Sequence, residues 1–489
     1  MKHYAFLLFA LAWVSFLSAE TVRLQVEVND GEGRAVPCRV HLANDKGKTQ
    51  QAKGLPFFRD HFTCNGRVSL DLEPGKYNYA VERGPEFERL AGELILEAGK
   101  PQTLDLAIDR IANLREAGWF SADLHVHRPL KDIGLIMRAE DLDFAPVITW
   151  WNKKNFWDGG KGPEAGEDER EGGALIYHRL KHPLEITKAT QEVPSPMHYV
   201  EEALARKSRV WIDIEKPFWW DVPVWLASGK MNSIGLANNH MCRSWMLSTE
   251  AWGKPRDENQ LPAPLGNAYW TQEIYYHLLN VGLRLPPSAG SASGVLPNPV
   301  GHNRVYVKID GKFSTDAWWR GLAAGRCFVA NGPLLVAKAD GQWPGAVLKS
   351  SKPTKIRIEM DLTSWDRVSN MEIVQNGKVV RRVACREVRR QEQVIEIEVK
   401  ESGWFLIRAI SDDPNVFRFA STGPFYLEVG PTKKRISRAS VQFFLDWVDE
   451  RIERVRRNVA DESQRQEVLQ AHQDALRWWR KRVVEANAK

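Results

Sequence analysis

Hydrophobic and polar residues alternate along this chain with two different periods, and the changes of period mark out its parts. From Thr21 to Ile111 apolar positions recur at every second residue, as in TVRLQVEV, GRVSLDL and GELILE. That is the period of a strand with one buried face. Stretches such as NDGEGRAV and EPGKYNYAVE interrupt these runs. Short alternating strands between such turns predict a small antiparallel β-sandwich over residues 20–111.

Residues 112–333 follow another pattern. Apolar strand candidates (FAPVIT, RVWIDI, SIGLAN, NRVYVKI) alternate with helical ones (IGLIMRAEDL, MHYVEEALARKS, WTQEIYYHLLNVG). Such alternation predicts βα units around a parallel sheet, open or closed into a barrel. Reacting groups in those folds gather at the carboxyl ends of the strands. Over residues 334–431 the two-residue period returns, with an Asn376-Gly377 hairpin turn, and predicts a second β-sandwich. Over residues 432–489 the period lengthens. Phe443, Phe444, Trp447, Val448, Ile452 and Val455, then Leu469, His472, Leu476, Trp479 and Val483, recur at helical spacing. They predict two amphipathic helices that dock on the body as an antiparallel hairpin, their aromatics facing the core.

The first nineteen residues, MKHYAFLLFALAWVSFLSA, have a charged start, an apolar run from Tyr4 to Leu17 and a small-residue end. This is the form of a secretory signal over residues 1–19. The run falls short of the ~20 apolar residues of a bilayer span. An exported protein, periplasmic or extracellular, with no transmembrane anchor after cleavage, is expected. A length of 489 residues calls for several domains, and 43% hydrophobic residues suffice for globular cores. The net charge of +6 is gathered into no basic arm, so nucleic acid is excluded as a partner. Five scattered cysteines form neither a disulfide framework nor a CxxC zinc site.

Candidate chemistry starts at GWFSADLHVHRPL. On a strand, Asp123, His125 and His127 project to one face. Two imidazoles at a strand end can grip one cation, and a nearby carboxylate can orient or bridge them. RVWIDIEKPFWWD brings Asp213 and Glu215 to a second strand end, with Glu215 the better placed ligand, and IGLANNHM brings His240 to a third. His125, His127, Glu215 and His240 form a donor set suited to zinc, manganese or iron. Against this stands the plain reading, in which the histidines are a polar strand end and the acids pair with Lys216 or an arginine. His178, His198 and His302 lie in less suitable places.

SADLHVH, followed by AEDLDFAPVIT, the Glu215-Lys216-Pro217 strand end and SAGSASG, resembles the PHP-type metallohydrolases, in their CehA/McbA-like branch. The likeness runs from about Trp119 to Gly332. It implies a distorted (β/α)7 barrel that holds divalent ions and hydrolyses phosphoesters, amides or carbamate esters. His125 and His127 match the family's first motif. The chain also departs from the pattern. Thr149-Trp150-Trp151-Asn152 stands where the family has Thr-Asp-His-Asn, and Gly290-Ser291-Ala292-Ser293-Gly294 stands for Gly-Ser-Asp-x-His. Four ligand positions are thereby lost, so in place of a two- or three-ion cluster the remaining residues are expected to hold one ion, or none tightly.

Three functions follow. One is a one-metal hydrolase of an ester, amide or phosphoester, with Glu215 or Asp213 as base. Another is an inactive barrel that binds a small molecule or glycan in a mouth lined by Trp150, Trp151, Trp219 and Trp220. The third is a structural role in the envelope.

Overall fold

A computed structural model describes residues 21–157, 164–206 and 209–489. The leader expected at residues 1–19 lies outside the described residues. The molecule is mostly sheet, with seven helices among the described residues, of which the last two form a C-terminal pair. No helix among the described residues is long and apolar enough to cross a membrane.

Two sheets share the N-terminal core. In one, Val22–Asn29 pairs antiparallel with Arg67–Leu72 and parallel with Gln102–Ala107. The other runs in the order Phe57–Phe58, His61–Cys64, Cys38–Asn44, Gly75–Glu82, Leu90–Leu96. The alternation seen in the sequence becomes burial: Val22, Leu24, Val26 and Val28 point inward beside Val40, Phe62 and Val81, while the residues between them face out. Arg39 is buried and pairs with Glu82 of its own region and with Glu140, which caps the helix Leu130–Ala139. This ion cluster ties the N-terminal sheets to the middle of the chain.

The middle holds a seven-stranded sheet in the order Lys154–Asn155, Val147–Trp151, Glu164–Arg170, Gly173–His178, Trp211–Ile214, Ser233–Ala237, Pro287–Ala289. Lys154–Asn155 pairs antiparallel at one edge, Gly173–His178 is antiparallel to both its neighbours, and the other pairings are parallel. Residues 123–127 join the two sides of this sheet. Val126 bridges Val147 on one flank and Ser293 on the other, both in parallel. The amide of Ile148 donates to Val126 O at 2.7 Å, that of His127 to Ser293 O at 2.7 Å and that of Leu124 to Ala289 O at 3.0 Å. The sheet therefore closes into a ring.

One expected strand of this region lies elsewhere. Arg304–Lys308 pairs with Trp119–Ala122 and Cys327–Ala330 at one end of a nine-stranded sheet. That sheet continues without a break into Gly403–Ile410, Phe419–Thr422 and Phe425–Val429. A three-stranded sheet of Leu334–Ala339, Thr354–Thr363 and Arg390–Val399 packs against it around Phe328, Met360, Ile373, Phe405 and Ile407. Asn376 and Gly377 both have positive φ at the turn between Asn370–Gln375 and Lys378–Ala384, the backbone a two-residue hairpin turn requires.

The C-terminal helices Arg438–Asn458 and Glu462–Glu485 start at Ser437 and Asp461, whose side chains accept from the amides of Ser440 and Gln464. They pack on the helices Val222–Ser228 and Gly266–Asn280, burying Phe444, Trp447, Val448 and Trp479. Buried Arg451 anchors the pair. Its guanidinium reaches both Glu192 oxygens at 2.6 and 3.0 Å and Asp221 Oδ1 at 2.6 Å. Burial alone would raise the Asp221 carboxyl, but Arg451 and His472 hold it well below the usual range.

Arg451→Ala should lower the unfolding free energy by about 3–5 kcal/mol, since two buried carboxylates lose their partner. Arg456→Ala, which breaks a pair exposed on both sides, should cost less than about 1 kcal/mol. Denaturant unfolding at neutral pH checks both. A depressed carboxyl stabilises the fold above its unfolded pKa of about 3.9 and loses that contribution as the pH falls. The gap between wild type and Arg451→Ala should therefore narrow below about pH 4.

Candidate metal centre

The segment that closes the ring also carries the histidines. Asp123, buried at its start, does not face them. Its Oδ1 accepts from the amides of His125 and Ser291, both at 3.0 Å, and its Oδ2 from the amide of Gly301 at 2.7 Å and the Ser291 hydroxyl. Asp123 thus braces the crossing against the loop after Pro287–Ala289. His125 and His127 follow on the same side, and Glu167 reaches them from Glu164–Arg170.

Nε2 of His125, Nε2 of His127 and Oε2 of Glu167 converge on one point. The nitrogens are 3.0 Å apart, and the oxygen is 3.5 and 3.3 Å from them. The edges of a tetrahedron around an ion with bonds of ~2.0–2.1 Å are ~3.3 Å. Glu167 Oε2 is buried, and the two imidazoles are the groups it meets. Two imidazoles and a carboxylate oxygen at these separations fit a divalent cation.

Glu215 meets the other face of His125. Its Oε1 lies 3.2 Å from His125 Nδ1 and accepts from Lys216 Nζ at 2.7 Å and Asn239 Nδ2 at 2.9 Å. Its Oε2 accepts from Lys216 Nζ at 2.5 Å and Trp219 Nε1 at 2.9 Å. Burial would raise this carboxyl, but Lys216 and His125 bring it down to about 2. With both oxygens occupied, Glu215 orients the His125 ring from behind instead of entering the ligand group. Burial opposes a charged His125, yet Glu167 and Glu215 push it up to about 10, while burial lowers His127.

The remaining expected residues fall into different places. Asp213 Oδ1 accepts from the hydroxyls of Ser233 and of Ser288, the latter at 2.6 Å, and burial raises its carboxyl to about 7. These hydroxyls, and not the two imidazoles, are its partners. His240 donates from Nδ1 to Thr249 O at 3.0 Å, packs on Phe218 and is lowered to about 3 by burial. It stands outside the ligand group. The expectation of four indoles around a mouth is corrected. Trp150, Trp219 and Trp220 are buried, Trp150 against Tyr177 and over Gly166, where a Cβ would overlap the indole. Trp220 Nε1 donates to Trp252 O at 2.7 Å. Only Trp151 of the four reaches open space. Its ring centroid is 4.9 Å from that of His127, and it lines a cavity of about 880 Å³ with Asn152, Lys154, Glu169, Lys188 and Gln191.

No family model matches this chain, and no curated protein does.

Glu167 and Glu169 are the site residues absent from the sequence reading. Trp151 Nε1 donates to Glu169 Oε2 at 3.0 Å. Burial first, then Glu167, raise the Glu169 carboxyl to about 7. A second group, His41, Asp60 and His61, also clusters in the N-terminal sheets. There Arg39 Nε donates to His41 Nε2 at 3.1 Å, and both imidazoles meet Asp60 through Nδ1. That group reads as a hydrogen-bonded bracket beside an arginine.

Gly290 sets how closely the ring closes behind His125, because a Cβ there would stand 2.3 Å from His125 Cβ. Gly290→Ala should force the segments apart, at a cost of about 1–3 kcal/mol, and shift the His125 ring signals in NMR spectra. Unchanged stability together with unchanged imidazole signals would show that the approach is not needed.

Proposed function

We propose that the protein is a metal-dependent hydrolase with a one-ion site, of the PHP type and CehA/McbA-like branch, acting on an ester, amide or phosphoester of a small molecule. The observation that carries this reading is the convergence of His125 Nε2, His127 Nε2 and Glu167 Oε2, with Glu215 on the far nitrogen of His125. A carboxylate behind a ligating histidine fixes its ring and raises its basicity, as around many zinc sites. The ring of seven strand segments, with both histidines on the segment that closes it, supports the distorted (β/α)7 barrel.

His125, His127 and Glu167 would hold a zinc, manganese or iron ion, leaving room for a water and a substrate oxygen. When bound, such an ion supplies a water acidic enough to attack and polarises the bond to be cleaved. The chain supplies the rest. Lys216, Trp219 and Asn239 keep Glu215 ionised and in place, so the His125 ring cannot turn. Trp151 covers one side of His127 and fixes Glu169 at the cavity wall. From that wall Glu169 can take or return a proton to a substrate in the cavity, the role first assigned to Glu215 or Asp213. The apolar leader favours a hydrolase outside the cytoplasm, and the small, dispersed charge favours no nucleic-acid partner.

The test is metal per chain in untagged protein prepared without chelators, for wild type and for His125→Ala/His127→Ala. Wild type should carry one ion. The double variant should carry almost none and lose all hydrolysis, with an unchanged circular dichroism spectrum. Glu215→Gln should keep the ligands and weaken metal affinity by about 10–100-fold. Near-zero metal in wild type would sink the hydrolase and favour a ligand-binding barrel. Metal without turnover across ester, amide and phosphoester panels would leave a metal-bearing binding protein.

A further inference from the structure

Cys38 opens the strand Cys38–Asn44 and Cys64 ends the strand His61–Cys64. The two residues are direct partners in the antiparallel register. Their sulfurs are 3.7 Å apart, and both side chains are fully buried in the N-terminal core. Directly opposed residues of an antiparallel pair have Cα atoms ~4.5–5.5 Å apart, inside the ~4.4–6.8 Å range that a disulfide spans. The other cysteines have no such neighbour. Cys242 Sγ meets Asn239 O, Cys327 Sγ meets Pro287 O and Cys385 Sγ meets Val383 O.

We propose that Cys38 and Cys64 form a disulfide in the functioning protein, made by exchange with a disulfide-bearing oxidant while the N-terminal sheets assemble. One cysteine thiolate attacks a sulfur of the oxidant and expels the first thiolate. The second cysteine then attacks the mixed disulfide at the protein sulfur and expels the other. The two cysteines lose two electrons and two protons in all, and the oxidant leaves as two thiols. Since the folded core shields both sulfurs, the exchange belongs to folding and not to the finished surface. The export expected from the leader would supply a compartment in which such bonds persist, but the proposal stands on the facing pair and is independent of any metal.

The bond would act beyond its own core. It closes the chain segment that carries the turn from Phe57 to His61, and that turn leans on the rim of the candidate metal centre. Arg128, next to His127, donates to Phe57 O at 3.3 Å and lies over the Phe58 ring at 4.8 Å. Arg59 donates to Val295 O at 3.0 Å, just past the Ser293 that bonds His127. A covalent link at the base of this turn holds the tip against the rim.

The experiment unfolds the full chain, refolds it in a mixture of reduced and oxidised glutathione, and alkylates it after denaturation without reductant. Two of the five cysteines should escape the label, and peptide mapping should join Cys38 to Cys64. Refolding in dithiothreitol should give wild-type protein that melts several degrees lower, with no change for a folded Cys38→Ser/Cys64→Ser variant. Five labelled thiols after oxidative refolding, a bond between any other pair, or an equal response of wild type and variant to dithiothreitol would each overturn the proposal.

Discussion

The bonds on the two flanks of Val126, from the Ile148 amide to its own carbonyl and from the neighbouring His127 amide to Ser293 O, are the constraint on which the centre of this molecule depends. A sheet becomes a ring only if one segment serves as neighbour to both of its sides, and residues 123–127 do so through Val147 and Ser293. Because side chains alternate along an extended segment, bonding on both flanks turns Val126 into the wall and leaves His125 and His127 on the enclosed side. Asp123 adds the brace, spending both oxygens on the loop that completes the closure. The Val147 flank sets the two imidazoles two strands from Glu167, since Val147–Trp151 pairs with Glu164–Arg170.

Enclosure then dictates the electrostatics. An ionised group taken out of water must be paired and hydrogen-bonded or it costs more than the fold can bear. Glu215 answers with contacts to Lys216, Trp219, Asn239 and His125. Arg39 and Arg451 answer in the same manner, each shared between two acids. Glu167 is the exception. Its Oε2 has only two imidazoles for company, and a carboxylate left that way at a point of convergence is what singles the place out.

Much of this could be read from the residues, and the failures have physical causes. The alternating runs before Ile111 and after Leu334, the Asn376-Gly377 turn and the two C-terminal helices rest on local periodicity, and local periodicity survives folding. Glu164–Arg170 could not be read in that way. EAGEDER has no β-branched or aromatic residue and looks like a solvated loop, yet it is a strand because its neighbours on both sides make it one. Glu167 was hidden with it. Glu215 and His240 were correctly noticed as strand-end residues, but their roles depend on which donors surround them, and Lys216 and Thr249 decide that only in three dimensions. Arg304–Lys308 has the pattern of a strand, and no pattern says which sheet a strand will join. The tryptophans misled for a related reason. An indole next to a site motif can equally well be core, and Gly166 and Tyr177 make Trp150 so.

The bridge from Val126 to Ser293 also sets a timetable. A chain made from its N-terminus presents His125 and His127 early, but the segment that encloses them arrives only after well over half of the polypeptide has been synthesised. Until then the pair that the proposed site needs would stand open. The enclosure is complete only when residue 293 docks, late in the making of the chain. An ion held as proposed would then be drawn from the place where folding finishes, whatever the supply where translation begins.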